Sequence, residues 1–170
     1  MTHHRPLISE RSPTYQRAQL GAIDPIEDSE AQTVGTLSHL VELERDMIAA
    51  LLAVRNRVSD GPGRGPLDDL LVDHADRLPL LEQQIRELGG VPPDPGERAG
   101  ELPRDATDIG YLGDDRDALR ALADDHEALA ERYREALGVA NHTEEARRLL
   151  EMFSSDMEQH SARIAGLLAA

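Results

Sequence analysis

The stretch PLDDLLVDHADRLPLLEQQIREL, residues 66–88, carries a line at Leu67, Leu71, His74, Leu78, Leu81, Ile85 and Leu88. Its steps alternate between four and three residues, the period of one helix face and not the two-residue period of a strand. Pro66 suits a helix start, and Gly89-Gly90 followed by Val91-Pro92-Pro93-Asp94-Pro95-Gly96 ends it. The line is apolar except at its middle, where His74 faces the core.

The same pattern recurs on both sides. A helix over 33–58 shows Leu37, Val41, Glu44, Ile48 and Leu51, flanked by Leu40, Met47 and Val54. One over 117–137 shows Leu119, Leu122, His126, Leu129, Tyr133 and Ala136. One over 143–168, with Thr143 as N-cap and Glu144 and Glu145 in its first turn, shows Ala146, Leu150, Phe153, Met157, His160, Ile164 and Leu167. The Gly- and Pro-rich run 59–66 and the short turn 138–142 close two helical hairpins. Residues 91–116 hold four prolines and four glycines, and are long enough to run the height of a bundle. Short loop, long crossover, short loop predicts an all-α four-helix bundle of ferritin-like connectivity over 32–170, with an up-down-up-down path as the alternative. Residues 1–31, with Pro6, Pro13, Gly21 and Pro25 and no sustained period, read as a flexible N-terminal arm.

Composition narrows the function. The 170 residues suffice for one domain with its own core. They include 33 acidic and 18 basic residues, every basic one Arg, for a formal charge of −15. Such a surface repels nucleic acid and anionic lipid. Without Cys there is no thiolate nucleophile and no Cys-ligated zinc or iron–sulfur centre, so a metal would need N and O ligands. No apolar run is long enough to span a membrane, and the first 30 residues lack the apolar stretch of a secretory signal, so a cytoplasmic location is expected. No phosphate loop, His-Glu-x-x-His helix or nucleophile elbow appears.

Each helix therefore puts an ionisable group on its inward line: Glu44, His74, His126, and His160 with Asp156 one turn before it. They fall at similar heights, within about 9 Å at 1.5 Å per residue. A buried unpaired imidazole or carboxylate is costly, and two arrangements remove that cost. One is a transition-metal site with Glu44, His74, His126, Asp156 and His160 as ligands, a donor set that suits Fe, Mn or Zn. The other is a metal-free polar layer whose members hydrogen-bond across the helices, in a structural or interaction protein. Asp73 and Asp125 precede two of the histidines and should point aside, and His39, Glu42 and Asp46 lie off the apolar line. If Met1 is removed, the amine of Thr2, two amides and His4 offer a square-planar Cu(II) or Ni(II) site.

Over about residues 34–168 the chain resembles a bacterial ferritin-like family of small four-helix-bundle proteins of unknown function, distantly related to stress-induced ferritin-like proteins. The likeness rests on Leu37-x-x-Leu40-Val41-Glu42 followed by Asp46, on Leu88-Gly89-Gly90-Val91-Pro92 closing the first hairpin, and on Tyr133-Arg134-Glu135-Ala136-Leu137. It implies metal binding, iron foremost, a role in metal handling or oxidative stress, and a monomer or homodimer. In the wider group, a carboxylate from each of two helices and a Glu-x-x-His from each of the other two hold two metal ions. Here Leu71 and Met157 stand three residues before His74 and His160, and His126 stands where a carboxylate would be. The resemblance thus implies a rewired, His-rich set. A hemerythrin-like bundle, suggested by Asp125-His126-Glu127 and Glu158-Gln159-His160, would need more than the five His beyond residue 30.

Overall fold

The computed structural model describes residues 25–58, 63–103, 108–109 and 111–169; the segment 1–24 and the His4 motif within it lie outside them. Four long helices and no strand occur among the described residues: α1 (Pro25–Arg57), α2 (Arg64–Glu87), α3 (Asp115–Gly138) and α4 (Glu144–Ala169). α1 pairs with α2 and α3 with α4, and the hairpins pack with α1 beside α3 and α2 beside α4. That neighbour pattern is the one a crossover connection generates, as expected.

The first helix begins earlier than the sequence pattern indicates. Residues 25–31, assigned above to the arm, belong to α1. Pro25 opens the helix, where its missing N–H costs nothing. The apolar period starts only later because this turn meets the α3–α4 connection through polar groups. The Ser29 hydroxyl donates to the Asn141 carbonyl, and Thr33 Oγ1 lies 3.1 Å from His142 Nδ1.

The helix ends follow from local chemistry. Asp114 caps α3 by accepting the Asp117 N–H at 2.7 Å, and Thr143 Oγ1 accepts the Ala146 N–H at 3.3 Å. At the end of α2, Gly89 adopts φ +76°, while Gly90 N–H bonds to Ile85 O and Gly89 N–H to Arg86 O. That is a Schellman closure, which a side chain at Gly89 would strain. The α2 helix continues through Pro79.

The crossover is strapped to the outside of α1. Arg45 donates to the Pro93 carbonyl at 3.1 Å and pairs with Glu82 of α2, and Asp46 accepts the Gly100 N–H at 2.7 Å. Glu101 then reaches both His39 of α1 and Arg132 of α3. The residues lying off the α1 apolar line thus hold the connection, and Ile109 anchors its far part in the core.

α4 buries the expected line from Ala146 to Ile164, with Leu167 half-buried. The buried face of α2 is rotated from the expected one. It runs Leu67, Leu70, His74, Arg77, Leu81 and Ile85, leaving Leu71 and Leu78 half-buried. Ile48 and Leu119 are likewise half-buried, their places taken by Met47 and by Ala118 and Ala121. No described helix is long and apolar enough to cross a membrane.

Candidate metal centre

At mid-height, α2, α3 and α4 turn one imidazole each into the core: His74, His126 and His160, none more than 3% exposed. Their ring centroids are 5.1–5.8 Å apart. One ring nitrogen from each lies within 4.8 Å of the others.

Glu44 on α1 is fully buried beside this cluster. Its Oε2 lies 2.6 Å from His74 Nδ1, and its Oε1 accepts both the Tyr133 hydroxyl at 2.6 Å and Arg77 Nη1 at 3.1 Å. Burial alone would raise the carboxyl pKa, but the His74 charge and hydrogen bond, the Arg77 guanidinium and the Tyr133 hydroxyl outweigh it and hold it at about 2. An ionised Glu44 only accepts, so His74 Nδ1 donates and its Nε2 is turned away from the carboxylate. Burial and the Glu44 charge push the Tyr133 hydroxyl up, which keeps it a donor.

His160 is oriented in a related way. Its Nε2 lies 3.1 Å from Asp73 Oδ2, which also takes Arg163 Nη1, and its Nδ1 lies 3.5 Å from Arg77 Nη2. A carboxylate accepts and a guanidinium only donates, so the proton sits on Nε2 and the Nδ1 lone pair faces inward. His126 places Nδ1 3.3 Å from Ser161 Oγ. Burial, then the His74 and His160 charges, lower His126 to about 3. Burial, His74 and Arg77 lower His160 to about 4. Both rings are neutral at pH 7, the state a metal needs.

Two atoms of this layer lack a hydrogen-bond partner: the buried Nε2 of His74 and the buried Nε2 of His126. Every other ring nitrogen in the cluster has one. The set therefore fits a cation: three imidazoles, each oriented through one nitrogen and free or weakly engaged at the other, the arrangement by which carboxylates position metal-binding His. Nitrogens around a tetrahedral ion sit about 3.3 Å apart, so the rings would close by an ångström or more on binding.

The residues expected at the site are thus divided by the structure. The three His come together. Glu44 touches the cluster through His74 and has both oxygens engaged. Asp156 has a half-exposed side chain and lies 4.0 Å from Arg77, at the mouth of a groove of about 320 Å³ between α2 and α4. The groove is lined by Asp73, Asp76, Arg77, Asp156 and His160 among others, and leads from solvent to the cluster. Asp125 is buried, while Asp73 orients the histidine of the neighbouring helix and not its own successor. The sequence reading missed Arg77, which is 2% exposed and stacked 5.2 Å from the Phe153 ring centroid, and missed the Tyr133 hydroxyl. The signal for Arg77 was its position, one turn after His74.

No family model and no curated protein matches the sequence. Among solved structures, the chain is similar to the Desulfovibrio desulfuricans bacterioferritin, described with a diiron site: TM-score 0.71, 18% identity, covering 86% of this chain and 84% of that one. It is also similar to a conserved hypothetical protein, rv2844, of Mycobacterium tuberculosis, at TM-score 0.68 and 19% identity over 83% of this chain and 94% of that one. A variant of Mycobacterium smegmatis Dps1 matches at TM-score 0.67 and 16% identity, covering 86% and 99% respectively.

Proposed function

Because the chain has the ferritin-like fold, we propose that it binds a divalent transition metal, iron foremost with Mn or Zn as substitutes, inside the bundle, and serves in metal handling or oxidative stress in the cytoplasm. His74, His126 and His160 are the ligands. Glu44 and Asp73 orient His74 and His160, and Asp156 stands at the entry groove.

The observation that carries this reading is the pair of orphaned Nε2 atoms on His74 and His126 in a layer where the other polar groups are matched. Leaving two such buried atoms without a partner is costly, and a cation removes that cost. When bound, iron would supply Lewis-acid and one-electron chemistry toward small oxidants. The chain's own groups do the rest. The Glu44 carboxylate and Tyr133 hydroxyl fix the inner wall, Phe153 and Met157 exclude water, and the acidic groove concentrates cations at the mouth. The net charge of −15 opposes close packing of subunits while the fold allows pairing through helix faces, so the protein is a monomer or homodimer.

A metal-free polar layer in an interaction protein is the second reading, favoured by one feature: Glu44, Arg77, His74 and Tyr133 already satisfy one another's charge. Elemental analysis of untagged protein purified without chelator separates the two. Bound iron, manganese or zinc that is lost in a His74→Ala, His126→Ala variant supports the centre. No metal after reloading with Fe(II), Mn(II) and Zn(II) in turn overturns it.

A further inference from the structure

We propose that the centre takes one divalent ion and not two, because the guanidinium of Arg77 already stands as the second cation of the layer. The inference rests on the reading that the three imidazoles hold a metal.

A second ion in a helical core needs a carboxylate to neutralise it and, in a pair, to bridge it to the first. Two carboxylates touch the cluster, and both are committed: Asp73, at the groove, takes His160 and Arg163 through Oδ2, and Glu44 is the fully buried one. Arg77 and Tyr133 occupy one oxygen and His74 the other. Arg77 comes from the same face of α2 as His74, one turn later, so its charge is delivered into the layer by the helix that supplies a ligand. It is also fixed there. Its Cζ lies 5.2 Å from the Phe153 ring centroid and 5.9 Å from that of Tyr133, and its Nη1 is 3.5 Å from the Met157 sulfur. A planar, permanently charged fork suits this place, since it cannot lose its proton to escape burial.

Charge gives the same result. Glu44 and Arg77 cancel, so one divalent ion leaves two positive charges, facing Asp73 and Asp156 at the groove. A second ion would double that excess beside a fixed guanidinium.

The test is metal stoichiometry. Metal-free full-length protein is titrated with Co(II) in excess Mg(II), which saturates surface carboxylates, and the nitrogen-ligated Co(II) is counted by its visible absorption and by elemental analysis after gel filtration. The unaltered protein should saturate at one equivalent. Arg77→His removes the resident cation, releases Glu44 and adds a fourth imidazole, and should take up two. Arg77→Lys, which keeps a cation at the position, should stay at one. Two equivalents in the unaltered protein would overturn the inference while leaving the His centre standing, and so would a folded Arg77→His protein that still binds one. No binding in the unaltered protein would remove the centre itself. The unaltered protein decides the number even where a variant fails to fold.

Discussion

Arg77 Nη1 lies 3.1 Å from Glu44 Oε1, and neither residue is more than 2% exposed. The two come from adjacent helices and lock α1 to α2 at the height of the histidine cluster, so the same pair that balances the buried charge also sets the wall of the site.

Breaking that pair from one side should be costly. Glu44→Ala leaves the guanidinium buried with no counter-charge and strips a hydrogen bond from each of His74 and Tyr133. A loss of about 3–5 kcal/mol in urea unfolding is expected. Replacing both partners, as Glu44→Leu with Arg77→Met, should recover most of it. A double variant as unstable as the single one would show that the pair matters by shape and not by charge.

How far the sequence led depends on where its pattern was unambiguous. On α4 the line from Ala146 to His160 and Ile164 has no competing neighbour, and the structure buries those residues. On α2 two lines one residue apart compete, and the one containing Leu71 and Leu78 is the more apolar. The structure takes the other, with Leu70 and Arg77, because Arg77 meets Glu44 and the Phe153 ring, partners from helices that the sequence of α2 cannot see. Glu44 was legible as the lone carboxylate on its line. That its oxygens would be filled by side chains from α2 and α3 was not, since that is a property of the assembled bundle.

The histidine cluster makes stability pH-dependent with a defined sign. In the metal-free protein His126 is held at about 3 against an ordinary 6.5. Between those values the unfolded chain takes up a proton that the folded chain refuses, so the contribution is complete above pH 6.5 and is lost as pH falls toward 3. His160, at about 4, acts in the same direction, and Glu44 adds its own loss only below its ordinary 4.5. His126→Leu removes the first of these terms. The stability of that variant minus that of the unaltered protein should grow by up to about 1.4 kcal/mol per pH unit on going from pH 6.5 to 4. A gap that shrinks with acid would contradict the assignment of His126 as a buried neutral ring.

The exit from α2 depends on a close approach to α1. A Cβ on Gly90 would meet Val34 Cγ1 at 2.6 Å and Ile85 Cγ2 at 3.0 Å. Gly90→Ala should therefore destabilise the protein by about 1–3 kcal/mol through overpacking against α1. Thermal melts of Gly90→Ala and of the double variant with Val34→Ala would check it, and the second should recover part of the loss.

Asp73 offers a test of orientation apart from folding. Its carboxylate holds the His160 Nε2–H and meets Arg163 at the surface, where it is 42% exposed. Asp73→Asn keeps an acceptor but weakens the hold on the ring, so metal affinity should drop by about 10–100-fold. The melting point of the metal-free protein should scarcely move. Affinity unchanged in a competition titration against a chelator would detach Asp73 from the site.

His126→Leu brings the two accounts of the cluster into direct conflict. In the metal-free state its Nε2 is buried with no partner, at a cost of about 1–3 kcal/mol that a leucine of similar volume would not incur. The variant should therefore melt higher than the unaltered protein when both are stripped of metal. With metal the order should reverse, because a ligand that binds only the folded state adds RT ln(1 + [L]/Kd), about 2.7 kcal/mol at a hundred times Kd, and the variant has lost a ligand. A polar layer with no metal predicts the first shift without the second. Differential scanning with and without Zn(II) or Fe(II) therefore settles the matter by a change of sign, which no uniform loss of stability can imitate.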